Sequence, residues 1–272
     1  MKALKSLFGK DKKRSKTPGL EKEAFLRPAL SPGYYGAFPA TFGLHFLGRS
    51  QDKKADYYII GLDHSGASVQ PLYAVTVHKG TVKHQVTLHA GPNHSDAALG
   101  LAGAEKLFRS MSLVALPAPA AGSGDSAPTA VNDIVQLSPQ KSLKYDNFNF
   151  SSVVGSGARE DFEWRSDNVL KPPPKGKLYE RTLVRVRSGN GAEETVGRWT
   201  DDAAPEKTAK LGTFAFEGSG ATGELGSYWG LMAVMTLLRI TQIKLEASAA
   251  ADKMLSAAAK VMLTGAGMGM GA

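Results

Sequence analysis

The chain has 272 residues, of which 42% are apolar and 21% charged, a balance typical of a globular protein with a sizeable core. It contains no cysteine, which excludes disulfides, thiolate nucleophiles, thiolate zinc sites and palmitoyl or prenyl anchors. The longest uncharged apolar stretch, residues 225–238, has 14 residues, whereas a membrane span needs about 20. These features predict an intracellular protein that is not transmembrane.

The net charge of +8 is distributed unevenly along the chain. Residues 1–33 hold nine basic and three acidic side chains, a net charge of +6, while the remaining residues hold 24 basic and 22 acidic side chains, a net charge of +2. The pI of about 9.5 therefore describes mainly the N-terminal segment. A basic domain of the nucleic-acid-binding type is not indicated.

Residues 1–36 are predicted to be a disordered basic tail, because they are polar and interrupted by proline and glycine. Three interpretations of this tail stay open. Leu4, Leu7 and Phe8 among lysines fit an anionic membrane surface, residues 12–16 resemble a nuclear-localisation cluster, and the tail could also serve only solubility. The candidate membrane-contacting cations are Lys2, Lys5, Lys12, Lys13, Arg14 and Lys16.

Short β-type runs follow from Phe38 onward, with a predicted hairpin turn at residues 78–81. Residues 117–130 are rich in Ala, Pro, Gly and Ser and predict a flexible loop between two groups of strands. The predicted strands are 43–47, 57–62, 72–78, 82–89, 97–102, 111–116, 132–137, 161–165, 179–187, 195–200 and 211–217.

A helix that is apolar on nearly every side is predicted over about 227–246, with Ser227 as its cap. Such a helix must be surrounded by protein, and a sandwich would not need it, so the pattern predicts a closed antiparallel β-barrel around the helix over residues 37–248. Residues 249–272 are predicted to be a partly helical tail rich in Ala, Gly and Met. The predicted core residues of the helix are Trp229, Met232, Val234, Leu237 and Leu238.

Five segments of the chain carry a resemblance to a known family. They are VTLHAGPNHSDAALGLA (86–102), DFEWRS (161–166), LYERTLVRV (178–186), TVGRWTDD (195–202) and LGTFAFEGSGATGELGSYWGLMAVMTLLRI (211–240). In this order they resemble the tubby C-terminal-like superfamily, which includes tubby proteins, phospholipid scramblases and LURP-one-related proteins, and most closely its fungal branch. The resemblance implies a twelve-stranded barrel with its C-terminal helix through the middle and no enzymatic activity. It also implies phosphoinositide binding at the level of the family, with no ligand residues carried over.

No motif in the chain predicts a catalytic, metal or cofactor site. Residues 218–223 match G-x-G-x-x-G, but no second strand, and so no acidic residue at the end of one, follows the helix to complete a dinucleotide site, and a glycine turn is favoured. His78, His84, His89 and His94 lack metal-ligand spacing and are interpreted as exposed strand residues. Asp161 and Glu163 share a strand face but are interpreted as solvated acids.

The segment 181–187 is predicted to direct Thr182, Val184 and Val186 toward the core and its arginines outward, since side chains alternate along a strand. The outward face could meet anionic headgroups or could be only solvated. The candidate headgroup ligands are Arg181, Arg185, Arg187, Lys175 and Lys177.

Two functions are therefore kept from the sequence. The first is a non-catalytic domain that binds anionic phospholipid or phosphoinositide at a membrane surface, and the alternative is a structural or protein-interaction domain with no lipid ligand. Nucleic acid is an unlikely partner and no cofactor is expected. The predicted location is cytoplasmic or peripheral to a membrane, or nuclear through residues 12–16.

Overall fold

A computed structural model of the protein describes residues 30, 35–63, 69–79, 85–105, 108–117, 133–141, 146–166, 178–186 and 192–265. The six candidate cations of the tail, most of the loop at 117–130, the centre of the hairpin at 78–81, His84, and Lys175, Lys177 and Arg187 lie outside these residues.

Twelve antiparallel strands form a closed barrel in which each strand pairs with its neighbours in sequence and β1 pairs with β12. The predicted fold class is therefore confirmed. The strands are β1 Thr41–Arg49, β2 Ala55–Asp63, β3 Val69–His78, β4 Val86–His89, β5 Ala98–Glu105, β6 Phe108–Leu116, β7 Asp133–Lys141, β8 Asp146–Val153, β9 Arg159–Ser166, β10 Glu180–Val186, β11 Glu194–Asp201 and β12 Lys210–Phe216.

Three helices follow β11. Two of them have a single turn, α1 Pro205–Thr208 and α2 Gly218–Ala221, and the third, α3 Gly226–Gly265, has 40 residues. The buried part of α3 fills the inside of the barrel, where Trp229, Met232, Val234, Leu237 and Leu238 are at most 4% exposed, as predicted. The helix begins at Gly226, so the predicted cap Ser227 is its second residue.

A strand glycine lets the helix approach the wall closely. A Cβ atom on Gly100 of β5 would lie 2.9 Å from Cγ and Sδ of Met235 on α3, so a larger residue would force the Met235 side chain to move. Opposite, the indole nitrogen of Trp164 on β9 donates a hydrogen bond to the Thr236 hydroxyl at 2.9 Å. Because this donor would otherwise be buried without a partner, the bond fixes one orientation of α3.

Two sequence predictions differ from the structure. The strand β8 was not predicted, although Phe148 and Phe150 alternate with polar residues and point to the core. The prediction of a disordered tail over residues 1–36 is wrong at Leu30 and Tyr35: Leu30 is buried against Leu101, Leu113 and Ala115, and Tyr35 packs on Tyr228 with ring centroids 5.2 Å apart. Isolated apolar residues in a polar segment gave no period from which to infer this.

Among the described residues, no helix is both long enough and apolar enough to cross a membrane.

The burial of α3 leads to a prediction about the stability of the protein. Leu237→Asp should lower the free energy of unfolding by about 4 kcal/mol or more, because the carboxylate would have no partner in the barrel core. The matched control is Leu245→Asp, eight residues further along the same helix, where the side chain is 37% exposed and a change below about 1 kcal/mol is expected. Chemical denaturation of both variants measures the difference, and equal midpoints would contradict the central position of α3.

Candidate functional site

The wall of the barrel opens between β7 and β8. The first half of β7, residues 133–137, pairs with β6, and its second half, residues 138–141, pairs with β8. Residues 150–153 of β8 pair with β9 and have no strand partner on the β7 side among the described residues. Pro139 fits this arrangement, because β6 pairs with β7 only as far as Leu137 and the missing N–H of proline breaks no bond to β6.

The opening is a groove with a volume of about 630 Å³. Residues of β7 and β8 line it, together with residues 159 and 161–163 of β9 and Val186 at the end of β10. Apolar and polar side chains alternate along it, as expected where two strand edges separate. Its apolar lining includes Ile134, Val135, Phe150, Phe162 and Val186, and its polar lining includes Gln136, Ser138, Asn149, Ser151, Arg159, Asp161 and Glu163.

Most polar groups of the opening have partners, and one buried oxygen does not. Ser151 donates a short hydrogen bond to Asp161, and Arg159 lies 3.8 Å from the carboxylate of Asp133. Glu163 accepts hydrogen bonds from Asn147 at 2.9 Å and from Arg165 at 2.8 Å. In contrast, Oδ1 of Asn149 is buried and has no hydrogen-bond partner among the described residues. An unsatisfied buried acceptor favours a ligand that brings a donor.

The arginine-bearing strand faces the opposite way to the prediction. Leu183 is fully buried in the main core and pairs with the core residue Trp164, while Thr182 pairs with the outward-facing Arg165. The prediction that Thr182, Val184 and Val186 face the core is therefore wrong. Valines suggested a core face in the sequence, but the single leucine faces the core.

Arg185 is consequently not a surface residue. It is 8% exposed, and its guanidinium donates to Glu160 at 2.5 and 2.7 Å, to Glu224 at 3.1 Å and to Ser219 at 3.3 Å. These hydrogen bonds, that with Glu160 first, raise the pKa of Arg185 above its usual value. The interpretation of Arg185 as a solvated headgroup ligand is corrected: it ties β10 to β9 and to the segment before α3. Arg181 is half-buried, and no headgroup contact is assigned to it.

Other cations of the described surface are also engaged in ion pairs. A basic patch ready for phosphate would instead carry cations whose donors point to solvent. The pairs are Arg49–Asp56, Lys79–Asp56, Arg165–Glu193, Arg198–Glu217, Lys210–Asp63 and Lys244–Asp201.

A second buried arginine lies on α3 itself. Arg239 is 2% exposed and donates to the Ser112 hydroxyl at 2.8 Å, to the Gln85 side-chain oxygen at 2.6 Å and to the side-chain oxygen of Gln242. Burial lowers the pKa of Arg239 to about 10, so the side chain remains charged at neutral pH. Because its acceptors are neutral and lie on β6, before β4 and on α3, the cluster fixes the rotation of the helix by hydrogen bonds.

The glycine-rich segment 218–223 forms a tight connection between β12 and α3. A Cβ on Gly220 would lie 2.3 Å from the carbonyl oxygen of Val196, and Gly218 has a positive φ of 48°. The Glu194 carboxylate accepts a hydrogen bond from the backbone N–H of Ser219 at 2.7 Å. A carboxylate of the chain itself therefore occupies the place that a phosphate would take in a dinucleotide site.

Two of the histidines belong to a buried hydrogen-bond chain. His89 is buried, and its Nδ1 lies 2.9 Å from the carbonyl oxygen of Asp96, which can only accept. The Thr76 hydroxyl lies 3.0 Å from Nε2 of His89 and 3.2 Å from Nδ1 of His94, so it donates to one ring and accepts from the other. The interpretation of His89 as an exposed residue is wrong. Within the described residues, no group of three or more His, Asp or Glu side chains is arranged to hold a metal ion.

No family model, curated protein or solved structure matches this chain. The resemblance to the tubby C-terminal-like superfamily therefore stays a prediction, and the fold is established by the barrel itself.

The hydrogen bonds of Arg185 lead to a second prediction about stability. Arg185→Gln should lower the free energy of unfolding by about 2–3 kcal/mol, because Glu160, whose side chain is 23% exposed, loses the charged hydrogen bonds of its main partner. Arg49→Gln is the matched control, since Arg49 pairs with Asp56 from an exposed position and should lose at most about 1 kcal/mol. Urea denaturation measures both variants, and a loss at Arg185 as small as that at Arg49 would contradict the network's role.

The buried histidines lead to a prediction about how stability depends on pH. Burial lowers the pKa of His45 and of His94 below the usual value of 6.5, with His89 adding to the effect at His94. The unfolded chain then binds more protons than the native chain near pH 6, so stability falls as the pH decreases from about 7.5 to about 5.5. His94→Asn should reduce this slope, as measured by melts of the variant and of wild type across the pH range. A slope unchanged by His94→Asn would contradict the assignment.

Proposed function

We propose that this protein is a non-catalytic binding domain that accepts an extended polypeptide segment at the opening between β7 and β8. The observation that carries the proposal is the pairing pattern: β7 and β8 share four residue pairs, 138–141 with 149–146, and then separate. Two strand edges that face each other across a groove are a template for an added strand.

The dimensions and chemistry of the groove suit such a ligand. The unpaired edges comprise residues 133–137 and 150–153, a length of about 13–17 Å at 3.3 Å per residue, or four to five residues of a bound strand. Peptide N–H groups would supply donors of the kind that Oδ1 of Asn149 lacks. Ile134 and Val186 would contact apolar side chains of the ligand.

Binding is favoured over acid–base catalysis because the acidic side chains in the groove are already hydrogen-bonded to neighbouring side chains. Glu163 is held by Asn147 and Arg165, and Asp161 accepts from Ser151. A catalytic pair of carboxylates would be directed at a shared reacting position. These two acids are instead engaged with neighbours along the outer sheet surface.

Anionic membrane binding is kept as a second candidate on one observation, the +6 charge of residues 1–33. Basic residues near an anionic surface each contribute about 1 kcal/mol of attraction. Arg185 does not support this candidate, because its donors are used by Glu160, Glu224 and Ser219. The contributions of Lys175, Lys177 and Arg187 stay predictions.

Peptide binding is tested with a random peptide library displayed on phage and selected against the full chain. Ser151→Trp fills the groove and should lower the affinity of selected peptides at least about 10-fold, a difference of about 1.4 kcal/mol. Leu47→Trp is the control, since Leu47 is 57% exposed on β1, on the opposite side of the barrel. Selected peptides that bind Ser151→Trp as well as wild type, or a library that yields no binder, would overturn the proposal.

Membrane binding is tested by flotation with vesicles of neutral lipid and of neutral lipid with an anionic phospholipid. The second candidate predicts binding only to anionic vesicles, weakened by salt and by replacing Lys12, Lys13, Arg14 and Lys16 with Gln, because exposed charges are screened. Replacing the surface cations Arg49, Lys53, Lys54 and Lys79 of the barrel provides a variant of equal charge change. Absence of flotation at low salt, or equal loss in both variants, would reject this candidate.

A further inference from the structure

The outer surface of the sheet beside the opening carries four polar side chains in two cross-strand pairs. Asn149 of β8 pairs with Glu163 of β9, and Ser151 of β8 pairs with Asp161 of β9. Paired residues, and residues two apart along a strand, lie on one face of a sheet, and the intervening residue of each strand belongs to the core. The four polar side chains therefore form one outward-facing group, and all of them line the groove.

Two hydrogen-bond acceptors of this group remain open. Oδ1 of Asn149 is buried and has no partner among the described residues. The carboxylate of Asp161 accepts a hydrogen bond from the neutral Ser151 hydroxyl and forms no ion pair with a described residue, although an ionised carboxylate can accept about four hydrogen bonds. Glu163, in contrast, is paired with Arg165.

Carboxylates outnumber guanidinium groups around the opening. Among the described residues, those that line the groove and those that belong to their ion pairs include four carboxylates and two guanidinium groups, a net charge of −2. The carboxylates are those of Asp133, Asp161, Glu163 and Glu193, and the guanidinium groups are those of Arg159 and Arg165. Arg159, the only cation among the described lining residues, lies 3.8 Å from Asp133. A ligand that enters the opening therefore meets a negative potential, which favours a cation.

A strand added between β7 and β8 would direct alternate side chains into two different surroundings. Its inward side chains would meet the core residues Val135 and Phe150 and should be apolar. Its outward side chains would lie beside Ser151, with Asp161 one strand further away, on β9. Because two strand spacings of about 4.8 Å separate the added strand from β9, a cation that reaches Asp161 must be carried on a long stem, as in lysine and arginine.

We infer that the β7–β8 opening selects a basic strand, in which apolar residues that face the core alternate with outward residues, one of them a lysine or arginine bound by Asp161 and by Oδ1 of Asn149. The inference rests on the proposed function, because it names the class of peptide that the same groove accepts. Diagonal neighbours such as these two residues have Cβ atoms about 7–8 Å apart. One ammonium or guanidinium group, which has several N–H donors and no acceptor, can donate to both.

Other classes of strand fit the opening less well. An acidic strand would be repelled by Asp161, and a wholly apolar strand would leave both open acceptors without a donor from its side chains. The groove thus discriminates through the groups that it leaves unmatched as well as through those that it binds.

The peptide selection against the full chain tests the inference. Groove-dependent peptides, which are those weakened by Ser151→Trp, should carry Lys or Arg at a position that alternates with apolar residues. Asp161→Asn removes the charge at nearly constant size and should lower the affinity of these peptides about 5- to 10-fold. Asp52→Asn is the matched control, since Asp52 is exposed in the turn between β1 and β2, across the barrel, and should leave the affinity unchanged. Arg159→Gln removes a cation from the same groove and should instead raise the affinity about 2-fold or more.

Synthetic variants of a selected peptide separate recognition by Asp161 from general attraction between opposite charges. Moving the basic residue by one position keeps the net charge of the peptide but turns the side chain to the core-facing side, and should lower the affinity for wild type about 5- to 10-fold. Replacing the basic residue with Gln should lower the affinity for wild type by a similar factor. The same replacement should hardly change the affinity for Asp161→Asn, because both changes remove one contact.

The outcomes distinguish this inference from the proposed function. Groove-dependent peptides without Lys or Arg, peptides that bind Asp161→Asn like wild type, or a shifted peptide that binds like the original would each overturn the basic-strand inference and leave the groove as a peptide site. A selection that yields no groove-dependent peptide would overturn the proposed function and this inference with it.

Discussion

Burial of the apolar helix α3 is the constraint on which the rest of the structure depends. A helix with Trp229, Leu231, Met232, Val234, Met235, Leu237 and Leu238 all buried presents no polar face to water along this part of its length. Twelve strands surround it, and their inward side chains complete one core. The barrel diameter is therefore set by a filled interior, as in other barrels whose lumen is packed with side chains.

Polar groups inside this core give the packing a single arrangement. Apolar contacts alone allow a helix to rotate or slide with small changes in energy. The Trp164–Thr236 hydrogen bond and the Arg239 cluster fix α3 at two levels, and the Arg185 network fixes the segment before it. With the interior fixed in this way, strands β7 and β8 can separate locally without loss of the core, because Val135 and Phe150 still pack inward.

The sequence allowed the architecture to be predicted because its strongest signals are global. The all-round apolar helix and the recurring short strands leave a barrel as the simplest arrangement, and every strand except β8 was located. β8 was missed because Asp146, Asn147, Asn149 and two serines have low strand propensity, although Phe148 and Phe150 keep the period of two. The many polar residues of β8 therefore hid the alternation of its two phenylalanines.

The candidate site could not be predicted, because it arises from register. Nothing in residues 133–141 indicates that the first half of β7 pairs with β6 and the second half with β8, except Pro139. The predicted orientation of Arg185 was wrong for a related reason. Alternation of side chains gives β10 two faces, and which of them points into the barrel depends on the pairing of Leu183 with Trp164 on β9. Long-range pairing decides both features.

Hydrogen–deuterium exchange of the full chain tests most directly whether a stable core carries a separate binding edge. The amides to follow are those of residues 133–137 and 150–153 that are not bonded to β6 or β9, with the buried part of α3 as the internal reference. We expect these edge amides to exchange faster than the amides of α3 and to become protected when a library-selected peptide is added in excess, while the amides of α3 keep the protection of global unfolding throughout. Edge exchange that is unchanged by the bound peptide, or a loss of protection in α3 together with the edge, would contradict a groove that binds an added strand on a rigid barrel.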